Sequence, residues 1–172
     1  RTALLARGIS FHAESLADRA GEGDIQAVEL FLDAGFNPDT RDRHGVPLLC
    51  LAARGKHRNV AECLLDRGAH LDLQGEDRGY SATMDAALAG DAGLVAFLLE
   101  KGANPDLRSR DGQTALVLAV GRKDIETVRH LVEHGADPDI ADKLGFSARG
   151  YAGLFRQTGM KALFDSIPKK ER

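Results

Sequence analysis

The stretch LLEKGANPD, residues 98–106, decides the fold, because the chain writes it four times. FLDAGFNPD (31–39), LLDRGAHLD (64–72) and LVEHGADPD (131–139) repeat its pattern. The glycines at its centre, Gly35, Gly68, Gly102 and Gly135, are spaced by 33, 34 and 33 residues. A second series, Gly45, Gly79, Gly112 and Gly145, keeps step at 34, 33 and 33. Two interleaved series with one period mark a chain built from stacked copies of a single unit.

Working outward from each glycine, a unit resolves into two short helical patterns and a turn-rich link. In the second unit Leu48, Leu49, Leu51, Ala52 and Ala53 form the first pattern, and Val60, Ala61, Cys63, Leu64 and Leu65 form the second. Their spacing suits a helical face and fails the strict alternation of a strand. Gly68 follows the last apolar residue, where a glycine can take the left-handed conformation that ends a helix. The link from Asp72 to Gly79 is rich in Gly and Asp and reads as a tight turn. Small pairs recur at one place in the first helix: Ala52-Ala53, Ala86-Ala87, Ala119-Val120 and Ala152-Gly153. Small side chains let neighbouring helices approach closely, and Leu98, Leu99, Leu131 and Val132 are placed to fill the layer between units.

On these residues the chain resembles the ankyrin-repeat family. Its motif, roughly G-x-T-P-L-H-x-A-A followed by G-H, a helix and G-A-D, is written here as GVPLLCLAARGKH (45–57), GYSATMDAALAGD (79–91) and GQTALVLAVGRKD (112–124). Ser81, Thr114 and Ser147 hold the Thr position, where a hydroxyl can cap the helix. Pro47 holds it in the second unit, so that helix must start differently. The resemblance implies an all-α solenoid of stacked antiparallel helix pairs, with β-hairpin-like fingers projecting beside a concave groove. Five units are expected, at about 10–41, 42–74, 75–108, 109–141 and 142–166, after a lead-in over 1–9 and before a charged, frayed tail over 167–172. Asp18 and Arg19 stand where the second unit has Leu51 and Ala52, which suits an N-terminal cap with a face open to water.

The family also implies a function: binding a partner protein through the groove and the finger tips. Residues three and four apart share a helix face, and the expected contact positions are Arg43, His44, Arg54, Arg78, Tyr80, Asp85, Leu88, Arg110, Gln113, Arg122 and Tyr151. Val46 is a further finger position. Arg and Tyr are the side chains enriched at binding hot spots. Asp85 stands out, because Leu51, Leu118 and Tyr151 hold its place in other units. The groove floor would leave it open to water or a ligand, with Arg54 and Arg122 in flanking units to offset its charge. The second finger is one residue longer than the others: Asp72 to Gly79 is 7 steps, against 6 from Asp39 to Gly45. Such insertions fall in loops, often on the binding face.

Chemistry finds little foothold. Net charge is −3, which gives no basic face for nucleic acid. No apolar run approaches the ~18 residues a membrane span needs. His130 and His134 have a zinc-compatible spacing, but no third ligand matches them and the H-E-x-x-H order is absent. No phosphate-cradling loop is present. The chain is therefore expected to be no enzyme and to hold no cofactor or metal. It is expected to be a monomer. Cys50 and Cys63 are read as buried free thiols, which favours a reducing compartment and a cytoplasmic location. The first residue is Arg rather than Met, so a fragment or processed product is expected. The alternative reading is a regulatory or targeting domain of a larger enzyme or effector.

Overall fold

The computed structural model describes residues 2–167; the expected frayed tail, PKKER at 168–172, lies outside the described residues. Eleven helices follow one another: α1 (Thr2–Ala6), α2 (Ala13–Glu22), α3 (Ile25–Asp33), α4 (Leu48–Arg54), α5 (Arg58–Asp66), α6 (Ala82–Ala89), α7 (Ala92–Glu100), α8 (Ala115–Gly121), α9 (Ile125–Glu133), α10 (Ala148–Leu154) and α11 (Thr158–Asp165). From α2 onward they form five helix pairs. The first helices of the pairs pack in one row, α2 on α4, α4 on α6, α6 on α8 and α8 on α10. The second helices form an outer row in which α3 meets α5, α7 meets α9 and α9 meets α11. No strand occurs among the described residues, only an isolated antiparallel bridge between Arg41 and Pro47. This is the all-α solenoid expected from the repeat.

The repeated motif explains how each pair closes. The Ala69 amide donates to the Leu64 carbonyl (2.9 Å), Ala103 to Leu98 (3.0 Å) and Ala136 to Leu131 (3.0 Å). Such a bond wraps back over the helix end only if the residue between is left-handed, and Gly68 and Gly102 have φ of 89° and 96°. The Asp that ends the motif joins units. Asp39 Oδ1 accepts from the His70 amide (2.7 Å), Asp72 Oδ1 from Asn104 (3.1 Å) and Asp106 Oδ1 from Asp137 (2.8 Å).

Ser81, Thr114 and Ser147 cap α6, α8 and α10 by accepting from the amides of Met84, Val117 and Gly150. Pro47 supplies no side-chain cap to α4, and the Leu48 amide instead donates to the Thr40 carbonyl (3.0 Å). The alanine pairs on the inner row are fully buried, as are Leu98, Leu116 and Leu131 between the rows. Cys50 is buried, whereas Cys63 is only half-buried, because α5 turns that side toward solvent; both are free thiols.

The fingers stand beside the inner row and are linked one to the next by single backbone bonds. Glu76 donates to Gly45 (3.0 Å), Arg110 to Arg78 (3.0 Å) and Lys143 to Asp111 (2.9 Å). Arg41, Gln74 and Arg108 add a side-chain ladder. Each reaches a carbonyl of its own finger and one in the following unit, as Gln74 does to Gly79 (2.6 Å) and Arg108 (2.8 Å). At the N-terminal end α1 packs against α3 and buries Leu4 completely. Asp18 is exposed as expected, but Arg19 is half-covered and pairs with Glu22 (2.8 Å).

Candidate functional site

Three depressions follow one another along the inner helices on the finger side, and each has its own chemistry. The first, about 220 Å³, lies between α2 and the first finger, where Glu14, Asp18 and Glu22 face Arg43 and His44. The Arg43 amide donates to Glu14 Oε2 (3.1 Å), and both Arg43 and His44 are exposed.

The second, about 130 Å³, lies over an ion cluster. Arg54, at the end of α4, donates through Nε to Asp85 Oδ1 (3.0 Å) and through Nη2 to Asp77 Oδ2 (2.9 Å). Arg78 Nη2 is 3.6 Å from the same Asp85 oxygen. The longer finger makes this arrangement. In the other fingers Asp42, Ser109 and Asp142 hold the turn by accepting from two amides each. Gly75 stands at that position in the second finger, and the extra residue lets the Gly79 amide reach the Gly75 carbonyl (3.0 Å). The widened turn carries Asp77 and Arg78 over the helices.

Asp85 is consequently 1% exposed. The expectation that water or a ligand reaches it is wrong, because finger two and Arg54 cover it. Its second cation is Arg78 and not Arg122. Burial, opposed by the Arg54 guanidinium, pushes its carboxyl up to about 6. Burial also acts on Asp77, but hydrogen bonds from the Arg78 amide and Arg54 hold that carboxyl below its usual range.

The third depression, about 350 Å³, is the largest of the three, and apolar side chains make up most of its lining. Leu88, Val117 and Leu118 line it from α6 and α8, and Tyr151 and Phe155 from the last pair, with Gln113 and Arg122 contributing polar groups. Phe146, Tyr151 and Phe155 form a ladder with ring centroids 5.3 and 5.6 Å apart. Phe146 is 43% and Phe155 48% exposed.

The expected contact residues therefore separate into three groups. Arg43, His44, Arg78, Arg110 and Arg122 are exposed, and Arg54, Leu88, Gln113 and Tyr151 are half-buried on the groove side. Tyr80 and Val46 are buried, contrary to their expected place at the tips. The Tyr80 ring lies under Arg78 (4.5 Å to the centroid), and its hydroxyl donates to Gln113 Oε1 (3.2 Å). Val46 turns inward because the finger closes on the Asp42 amide bonds. Sequence reasoning missed the Asp77–Arg54 pair, for which the only signal was the insertion itself. It also missed the ladder of Arg41, Gln74 and Arg108, although these long polar side chains recur at the repeat period. Among the described residues no three His, Cys, Asp or Glu side chains converge as metal ligands would, and no helix is long and apolar enough to cross a membrane.

The sequence profile for ankyrin repeats in three copies matches residues 16–109 and 83–170. An ankyrin repeat-containing protein of Treponema pallidum (strain Nichols) is 49% identical over 155 residues, covering 90% of this chain and 52% of that protein. Protein glp-1 of Caenorhabditis elegans is 34% identical over 120 residues, 64% of this chain and 9% of its own length. Ankyrin repeat and SAM domain-containing protein 6 of Mus musculus is 33% identical over 110 residues, 62% of this chain and 12% of its own length. The chain thus spans about half the length of the first relative and about a tenth of the other two.

Proposed function

The chain belongs to the ankyrin-repeat family, whose general role is protein–protein interaction, and from that premise we propose that its concave face binds a partner protein. The observation that carries this reading is the groove beside the inner helices. It presents an apolar depression of about 350 Å³ at one end and exposed arginines along its length. Repeat stacks of this kind use such extended surfaces for binding. The chain acts as a monomeric binding module and not as an enzyme. Reading it as the regulatory or targeting part of a larger enzyme or effector finds no support in the matches.

The test is capture from a cell extract on immobilised protein, comparing the native chain with an Arg122→Glu, Phe155→Ala double variant. Both residues are exposed, so the variant keeps its fold, and its circular dichroism checks that. A partner retained by the native chain and lost by the variant supports the reading. The same proteins retained equally by both defeat it.

A further inference from the structure

The apolar end of the groove carries an unmatched cation. Arg54 and Arg78 share Asp77 and Asp85, and Arg149 pairs with Asp139 at 2.8 Å. Arg122 is exposed, and among the described residues it has no ion pair and no side-chain hydrogen bond. The local sequence leaves room for its guanidinium beside the third unit. Lys56, Lys123 and Arg156 hold one turn position in their units, each with a left-handed backbone (φ 59°, 60° and 54°). In the third unit that position is Gly90, and the Arg122 guanidinium rests there. A Cβ on Gly90 would lie 2.6 Å from Nη2.

A second donor lines the same depression. Gln113 Oε1 accepts from the Tyr80 hydroxyl, which leaves the amide nitrogen of Gln113 free to donate. Both groups line the depression whose other walls are Leu88, Leu118, Tyr151 and Phe155. The aromatics there are partly open to solvent, with Phe155 48% exposed. At the other end of the molecule Phe11, Phe31 and Phe36 pack on one another, with Phe31 fully buried.

We infer that this end of the groove takes a partner segment in which a bulky apolar side chain is followed closely by a carboxylate. The apolar group enters between Leu118 and the Tyr151–Phe155 stack. The carboxylate meets the Arg122 guanidinium and the Gln113 amide, a charge-assisted contact that is strongest where the neighbouring apolar group excludes water. The inference rests on the reading of the groove as a partner-binding surface, and narrows it to one chemistry.

Three peptides test it against isotope-labelled protein, followed by amide chemical shifts: GSLFEEGS, its counterpart GSLFKKGS, and GSAAEEGS. The first is expected to shift the amides of Gly121, Arg122, Tyr151 and Phe155. The lysine peptide should bind about tenfold more weakly, a difference of about 1.4 kcal/mol, and the alanine peptide should not bind measurably. Arg122→Glu should reverse the order of the first two, and Phe155→Ala should weaken both without changing that order. Absence of binding by the first peptide, equal binding of the first two, or shifts elsewhere on the molecule would overturn the inference. So would self-association in sedimentation that Phe155→Ala abolishes, which would assign the apolar face to a second copy of the chain. The two readings fail separately. A captured partner that depends on the groove but shows no preference for acidic peptides removes only this inference, whereas capture indifferent to the groove removes the proposed function.

Discussion

At the scale of the residue, Asp85 departs furthest from its repeat. Its position holds Leu51, Leu118 and Tyr151 in the second, fourth and fifth units and an exposed Asp18 in the first, and here a carboxylate is buried under two guanidiniums. Among the described residues Oδ2 finds no donor, so the charge is only partly compensated. Desolvation outweighs the ion pairs, and the carboxyl is raised from 3.8 to about 6. The folded state therefore holds this proton more tightly than the unfolded chain does. Its contribution to stability is fully present below the unfolded value and is lost as pH rises through about 6. Asp24, Asp77 and Asp142 are held below their usual range, so the stability they confer is lost only in more acidic solution. The two windows do not overlap. Stability measured in urea should rise by about 1 kcal/mol on going from pH ~7 to pH ~5, and Asp85→Asn should abolish that rise. A native chain that loses stability over this interval, or an Asn variant that gains as much, would mean that the ion pairs win over desolvation. None of this was legible in the sequence. The Asp was visibly out of place, but its burial depends on where a widened turn sets Asp77 and Arg78.

Elements were far more legible, because each is specified locally. Ser81, Thr114 and Ser147 hold the position where the repeat calls for a capping hydroxyl, and they cap. The glycines read as helix ends take the left-handed backbone that such ends require. What escaped was any element outside the repeat. The lead-in carries no repeat register, yet it holds the short helix α1, whose Leu4 seals the end of the stack. Caps and layers make different predictions. Thr114→Ala removes the acceptor for the Val117 amide and should cost about 1 kcal/mol, like other lost N-caps. Leu98→Ala empties a fully buried position in α7 and should cost about 2–5 kcal/mol, depending on how far the site collapses. Chemical denaturation of both variants measures the two losses. A Leu98→Ala loss no larger than that of Thr114→Ala would mean that α7 is not the packed layer described.

At the scale of the whole molecule, stability should vary along the stack, because each helix pair touches only its neighbours. Among the described residues the last pair packs on one neighbouring pair. Phe164 is buried by α9 and α10, and Arg149 ties Asp139 to the carbonyls of Phe164 and Ile167. Leu144, Phe146, Leu154 and Phe155 remain open beyond it. Phe164→Ala should therefore release α10 and α11 while leaving the middle of the stack folded. The cost of such a deletion is about 3–5 kcal/mol, and it falls on the contacts of this pair with one described neighbour. Native-state hydrogen exchange reads the outcome helix by helix. Amides of α10 and α11 should lose most of their protection, those of α4 to α7 should keep theirs, and the peptide GSLFEEGS should no longer bind, because Tyr151 and Phe155 leave the groove wall. Equal loss of protection from α2 to α11 would show instead that the stack unfolds as one cooperative body. The groove could not then be opened from its apolar end without unfolding the protein.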